Sequence, residues 1–466
     1  KGGLEGLVTG EVLTCERHPN ADKLSVTTVN TGDTGILHIV CGAPNVAAGQ
    51  KVIVAVPGTT VYPTSGDPIH IKKAKIRGVE SAGMICAEDE IGLGTSHAGI
   101  MILPDDTVVG MPARTYFNLP EKDYAIHIGL TPNRSDANSH LGVARDICAW
   151  FSHHKNGGAQ RAILPTGITT GNLTATNAGS SISITIDAID ACPRYAGMLV
   201  EGIKVSESPE WLKRRLATIG VRSINNSVDV TNYVLHEYGQ PLHAFDADKL
   251  NGRQIVVRHM PSGTSFIGLD GKERKLQATD LMICDAAGPI AMGGVLGGQD
   301  SGITDNTVNI FLESAWFAPD GIRRSSLHHG LRTDAATHFE KGADINNVIP
   351  ALMRAALLIS EIAGGACYEV QDTYAKPIEE KTVIVRCSFI RKLNGKNYGR
   401  DTILNILAAL GFGITELNED ELQLTVPTNK ADVSQPADIA EEILRIDGLD
   451  NVHIPERLNI TLTRPM

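Results

Sequence analysis

The stretch that decides how this chain is read is Gly220-Val221-Arg222-Ser223-Ile224-Asn225-Asn226, continued by Val228-Asp229-Val230-Thr231-Asn232-Tyr233 and Gly239-Gln240-Pro241-Leu242-His243-Ala244-Phe245-Asp246. It lies in a block, 183–375, that mixes strand and helix patterns. Strand-like runs cover 183–189, 195–200, 254–258 and 281–284, and helical spacing covers 209–219 and 346–364. Such interleaving predicts an α+β domain. The same block carries Ala291-Met292-Gly293-Gly294-Val295-Leu296-Gly297-Gly298, Leu312-Glu313-Ser314-Ala315, Arg332-Thr333-Asp334-Ala335 and Phe339-Glu340-Lys341-Gly342. Glu313 is a carboxylate inside an apolar strand, costly to bury without a partner. His243 follows Pro-Leu, where a satisfied structural histidine is the ordinary reading. Gly293, Gly294, Gly297 and Gly298 serve equally well as turn glycines. No Ser-His-Asp or Cys-His arrangement presents itself by spacing.

Working outward, residues 1–118 read as short strands between turns, at 7–13, 24–29, 36–40 and 52–56. This spacing predicts a small closed barrel. Helical spacing returns at 139–151, followed by a linker-like run over 152–181 rich in Gly, Thr, Asn and Ala. A last unit, 380–455, holds helical patterns at 402–411 and 437–446, the second entered through Ser434 and Pro436, and a strand at 422–426. The expected organisation is therefore a multidomain α+β chain in four parts: 1–118, 119–181, 182–375 and 380–455.

The 466 residues are 42% apolar and 20% charged, as in folded globular protein, which excludes disordered, collagenous and coiled-coil classes for the bulk of the chain. A net charge of −11 means no global basic field, so a polyanion must be met by a local patch. The eight cysteines stand singly, with no CxxC, which argues against a zinc ribbon or disulfide framework and for reduced thiols in a cytoplasmic protein. No secretory leader and no membrane-spanning run is read, so no membrane partner is expected. The chain opens on Lys1 in strand-like sequence and reads as a piece of a longer protein.

The local patch is Lys72, Lys73, Lys75 and Arg77, four cations within six residues. They can neutralise phosphates on a barrel face. The alternative is a strand edge guarded by lysines, and Glu88-Asp89-Glu90 nearby keeps it open. Asp432, Asp438, Glu441 and Glu442 form an acidic group around the start of the 437–446 helix. Positions 438, 441 and 442 are i, i+3 and i+4, hence one helix face. Carboxylates without Cys or His suit Mg²⁺. Acids in a first helical turn also complement the helix dipole, with no metal needed.

Two sets of motifs carry a resemblance. His18-Pro19-Asn20-Ala21-Asp22-Lys23-Leu24, Val40-Cys41-Gly42-Ala43-Pro44-Asn45-Val46, the 72–81 run and Gly83-Met84-Ile85-Cys86-Ala87 together resemble the tRNA-binding OB-fold module of several tRNA synthetases and tRNA chaperones. The motifs between Gly220 and Gly342 resemble the central domain of the bacterial phenylalanyl-tRNA synthetase beta-subunit family, and the likeness extends over essentially the whole chain. It implies an editing site that hydrolyses tyrosine wrongly esterified to phenylalanine tRNA. By carry-over, His243, Gly297, Glu313, Thr333 and Ala335 match the editing pocket, and Asn232 and Arg222 its entrance or wall.

A pocket built for phenylalanine rejects an isostere with one added hydroxyl by only about 10²-fold, so a second site must demand that hydroxyl. Glu313 can accept the phenol O–H, the Gly297 N–H can donate to its oxygen, and His243 can position water. The resemblance assigns 380–455 to a small domain whose carboxylates bind Mg²⁺ at the alpha-subunit contact. This chain has Asn429-Lys430-Ala431 where the familiar version is rich in aromatics. The implied partners are tRNA-Phe and the phenylalanyl-tRNA synthetase alpha subunit, in a heterotetramer of two alpha and two beta chains. ATP-dependent charging would take place on the alpha subunit, and no ATP-binding signature is present here. The competing class is a non-catalytic tRNA-binding and scaffolding module.

Overall fold

The protein is described from a computed structural model over residues 4–94, 96–119, 124–156 and 182–452. Beyond 156, the expected 152–181 linker falls outside the described residues, as does the end of the last unit beyond 452. The chain divides into two compact units, 1–125 and 126–466.

In the first unit, β1 (Leu7–Arg17) is long enough to serve two partners. Its first half pairs with β4 (Lys51–Ala55) and its second with β2 (Ser25–Asn30), with a bulge between Val12 and Thr14 where the strand bends. β3 (Ile36–Cys41) extends this antiparallel sheet beside β2. A hairpin, β5 (Ala74–Ile76) and β6 (Val79–Ser81), follows, then β7 (Met84–Ile85) and β8 (Ile102–Leu103), both on β4. The six-stranded sheet is nearly a barrel. β3 meets the chain ahead of β7 through the Ala82 N–H donated to the His38 carbonyl (2.7 Å) and the Val40 N–H donated to Ser81 Oγ (3.1 Å). Val12, Val29, Ile39, Val52 and Val54 fill the inside.

The second unit opens with helix α1 (His140–Phe151), capped by Ser139. Its core is built on β10 (Arg194–Glu201), β11 (Leu242–Asp246) and β16 (Asn309–Trp316), with β16 in the middle. Period-2 alternation splits their side chains between two layers. Ala196, Met198, Val200, Ala244, Ile310 and Leu312 face α2 (Glu210–Thr218), α3 (Asn226–Tyr238) and α6 (Val348–Ala363). Tyr195, Leu199, Phe245, Phe311 and Ala315 face a second sheet. That sheet runs in the order β9 (Ser183–Ile186), β12 (Gln254–His259), β13 (Leu281–Cys284), β14 (Pro289–Met292), β15 (Leu296–Gly297), and its first pair is parallel. Helices α4 (Pro319–His329) and α5 (Asp334–Lys341) add to the same core.

The motif that opened the reading is structural at its start. Asn225 caps α3, accepting from the Ser227 and Val228 N–H groups, and Gly239 ends the helix at φ 76°. Buried Asp229 accepts from Ser208, Ser223 and the Ile224 N–H, pinning the preceding loop.

The chain over Ile345–Ala363 is, among the described residues, one helical stretch long and apolar enough, by length and composition alone, to cross a membrane. Half of it is buried, and α6 packs on the sheet as a core helix. The last module holds β17 (Thr382–Arg386), α7 (Cys387–Asn394), α8 (Arg400–Ala409), β18 (Gly413–Glu416), β19 (Glu421–Thr425) and α9 (Pro436–Asp447). Gln435 rather than Ser434 caps α9, in a capping box with Asp438.

Candidate functional site

Register places the key pair. His243 on β11 lies directly opposite Glu313 on β16, both on the layer facing the second sheet. Gly197 on β10 lies opposite Glu313 on the other side and adds no side chain there. Gly297, on β15 of the facing sheet, completes the group: a Cβ on it would fall 2.8 Å from His243 Cε1. The structure therefore brings His243, Glu313 and Gly297 together.

Glu313 is buried and raised to about 7, because desolvation penalises its charge and a hydrogen bond donated by Tyr195 Oη (2.8 Å) only partly offsets that. Tyr195 is a site residue that sequence reasoning misses. Its signal in the sequence is its place on the strand pairing with 313, two residues from the position opposite. His243 stacks edge-on against Phe245, and its Nε2 is buried with no hydrogen-bond partner among the described residues. Desolvation lowers the imidazole to about 4. At that value the ring is neutral across the physiological range.

Thr333 is one step removed. It caps α5 by accepting from the Ala336 N–H, and its hydroxyl donates to the Val295 carbonyl (2.9 Å) in the Gly293–Gly298 turn. Ala335 lies in the first turn of the same helix, half-buried. Asn232 and Arg222 are not gathered with the pair. Asn232 sits on α3, which packs on the opposite face of the sheet, and Arg222 is exposed in the loop before it.

The cationic run forms the β5–β6 hairpin in the first unit. Arg77 (φ 50°) and Gly78 (φ 92°) make its two-residue turn with both φ positive. The His18-Pro19-Asn20 motif props it. Asn20 N–H donates to His18 Nδ1, which leaves the proton on Nε2 to bond the Ile76 carbonyl (3.1 Å), and Asn20 Nδ2 donates to the Arg77 carbonyl. Lys72, Lys73, Lys75 and Arg77 are exposed, and among the described residues none is in an ion pair. A groove of about 610 Å³ beside them is lined by Val40, Ile71, Lys72, Ile76, Ile85 and Ile100.

The four acidic residues do not form one ligand set. Asp438 accepts from the Ser434 and Gln435 N–H groups. Glu442 points into the core, where Lys430 (2.7 Å) and Arg445 (2.6 Å) balance it. These contacts belong to a closed ring: Asp136, Arg134, Asp146, Arg445, Glu442 and Lys430, each 2.5–2.9 Å from the next. Asp432 and Glu441 stay exposed and meet only at Asn133 Nδ2. Position 442 lies on the apolar stripe of α9 and 441 beside it, so the i, i+3, i+4 spacing does not yield one solvent face. No cluster of three or more metal-ligating side chains occurs among the described residues.

Family models match in three segments: a putative tRNA binding domain over 7–112, a B3/4 domain over 191–364 and a tRNA synthetase B5 domain over 383–449. The chain is thus assembled from modules of the aminoacyl-tRNA synthetase class. It belongs to the phenylalanine–tRNA ligase beta-subunit family: it is 49% identical over 99% of its length to the beta subunit of Bacteroides fragilis strain YCH46 and 43% identical over 99% to that of Salinibacter ruber. It spans 56% of the length of each of these relatives. A solved N-terminal fragment of the Pyrococcus horikoshii phenylalanyl-tRNA synthetase beta subunit aligns with 68% of this chain and 84% of its own at 18% identity, with a TM-score of 0.33, too low to support an argument.

Proposed function

We propose that this chain works in protein biosynthesis as part of a phenylalanine–tRNA ligase beta subunit, and that it hydrolyses tyrosine misattached to phenylalanine tRNA. The observation that carries the reading is the grouping of His243, Glu313 and Gly297 from three strands in two sheets. Glu313 accepts the tyrosine phenol O–H, while a phenylalanine ester leaves that acceptor unpaired and escapes. Neutral His243, with Nε2 free of protein partners, positions water for attack on the ester, and the tRNA's own hydroxyl groups activate it. Thr333 braces the Gly293–Gly298 turn through the Val295 carbonyl, and Ala335 follows it in the first turn of α5. Arg222 and Asn232, on the helical face, contribute only if the tRNA end wraps to that side.

In this reading 1–118 binds tRNA through Lys72, Lys73, Lys75 and Arg77, 119–181 connects, 182–375 edits, and 380–455 contacts an alpha subunit that carries the ATP-dependent charging site. The residues present do not fit Mg²⁺ as a four-carboxylate centre, since Asp438 and Glu442 are engaged by protein groups. Asp432 and Glu441 remain as the pair able to meet a cation, and no step of the hydrolysis runs through one. A scaffolding role without catalysis has one observation in its favour: Glu313 already holds a phenol, that of Tyr195. Incubation with tyrosyl- and phenylalanyl-esters of phenylalanine tRNA separates the two. Editing predicts release of tyrosine alone, whereas no release of either assigns the chain to scaffolding.

A further inference from the structure

We infer that Tyr195 is a positioning residue that fixes the Glu313 carboxylate and leaves its second oxygen as the acceptor for the ring hydroxyl of the substrate. This rests on the editing reading.

Tyr195 Oη donates to Glu313 Oε2 at 2.8 Å, and the tyrosine is fully buried among Leu199, Phe245 and Phe311. On β10 it pairs with Ala315, so it reaches Glu313 diagonally along one face. The position directly across from Glu313 is Gly197, where a Cβ would fall 2.1 Å from the Phe311 ring. The Tyr195 ring is held by the core and has no room to swing away. Its bond to Oε2 therefore persists when a ligand arrives, and a second phenol finds Oε1. One carboxylate bridging two phenols reads a hydroxyl at a fixed place, which a freely rotating side chain does not.

The bond also opposes the burial that pushes Glu313 towards its neutral form. The groups facing Glu313 are few: His243 from β11, Tyr195 from β10, and the buried Cys192 thiol ahead of β10. Gly197 and Gly297 bring no side chain. None of these is a cation, so among the described residues Tyr195 is the one group facing Glu313 that lowers its midpoint.

The test is Tyr195→Phe, which keeps the ring and removes the donor. Two readouts are taken on the intact chain: the ¹³C titration of the Glu313 carboxyl, and the ratio of tyrosyl- to phenylalanyl-ester hydrolysis from pH 6 to 9. The variant is expected to raise the carboxyl midpoint by about one pH unit and to cut discrimination at pH 7 roughly tenfold, with recovery at higher pH. Incorporation of a fluorinated tyrosine at 195, which strengthens the donor without changing the packing, is expected to move the midpoint down. A midpoint unchanged in both would overturn the inference. If the native chain hydrolyses neither ester, the editing reading fails, and the carboxyl titration still decides what Tyr195 does to Glu313.

Discussion

Glu313 and Glu442 are both buried, 5% and 3% exposed, yet they have opposite electrostatic fates. Glu313 meets a neutral phenol, and burial carries it up to about 7. Glu442 feels the same upward pull of burial, but Arg445 and Lys430 overcome it and hold the carboxyl below its ordinary range. Burial alone does not set ionisation; the charge of the partner does. A carboxylate left without a cation keeps its acceptor capacity for a ligand, while one inside an ion ring has spent it on the fold. The pair thus separates the carboxylate proposed to read the substrate from a structural joint in the same unit.

Breaking the joint should have the largest effect. Lys430→Met leaves Glu442 and Asp136 short of a cation in a buried place, at a cost of roughly 3–5 kcal/mol of stability. Chemical denaturation reads this directly, and a loss under about 1 kcal/mol would mean the ring is not coupled to folding.

The reading site should behave in the opposite sense. Because the folded Glu313 midpoint is about 7 against 4.5 unperturbed, the native state binds the extra proton between those values. Stability therefore falls as pH rises through that window, by up to roughly 3 kcal/mol in all. Glu313→Gln removes this fall. His243, lowered to about 4 from 6.5, works the other way, so stability gains as pH rises over its own window. His338, also lowered to about 4, and His236 add to that opposing slope, so the Glu313 share is read as the difference between the native chain and Glu313→Gln from pH 5 to 7. A denaturant midpoint that still falls there in Glu313→Gln would assign the slope elsewhere.

Gly297→Ala sharpens the comparison from the opposite sheet. Its Cβ meets the His243 ring at 2.8 Å, inside van der Waals contact. Hydrolysis of the tyrosyl ester should slow roughly tenfold, with tRNA affinity intact. The smallest expected effect concerns the first unit. Reversing Lys72, Lys73, Lys75 and Arg77 should flatten the salt dependence of tRNA binding by about one unit of slope for each phosphate no longer neutralised, in a filter-binding titration.

Much of this is legible in the sequence. Period-2 and period-3.6 patterns locate the long strands and helices, because each buries one face against a continuous layer. The 382–386 strand escapes such a reading, since its burial alternates over only five residues. The candidate pair is legible through motif resemblance, and Glu313 also through its own oddity as a carboxylate among apolar neighbours. Tyr195 is hidden because its role depends on register across two strands 118 positions apart. Arg222 and Asn232 fall with the pocket by motif alone, because sequence does not show which face of a sheet a helix covers. The acidic residues mislead for a related reason. Helical spacing brings 441 and 442 close together, but only the packing shows that one faces solvent and the other Lys430.

The central claim is that Glu313 reads the tyrosine hydroxyl. The most direct measurement compares hydrolysis of tyrosyl- and phenylalanyl-esters of phenylalanine tRNA by the native chain and by Glu313→Ala at pH 8, where the native carboxylate is mostly ionised. The account predicts that the native chain cleaves the tyrosyl ester selectively and that the variant, folded by circular dichroism, loses most of that preference. A variant that keeps the full tyrosine-over-phenylalanine ratio would contradict it.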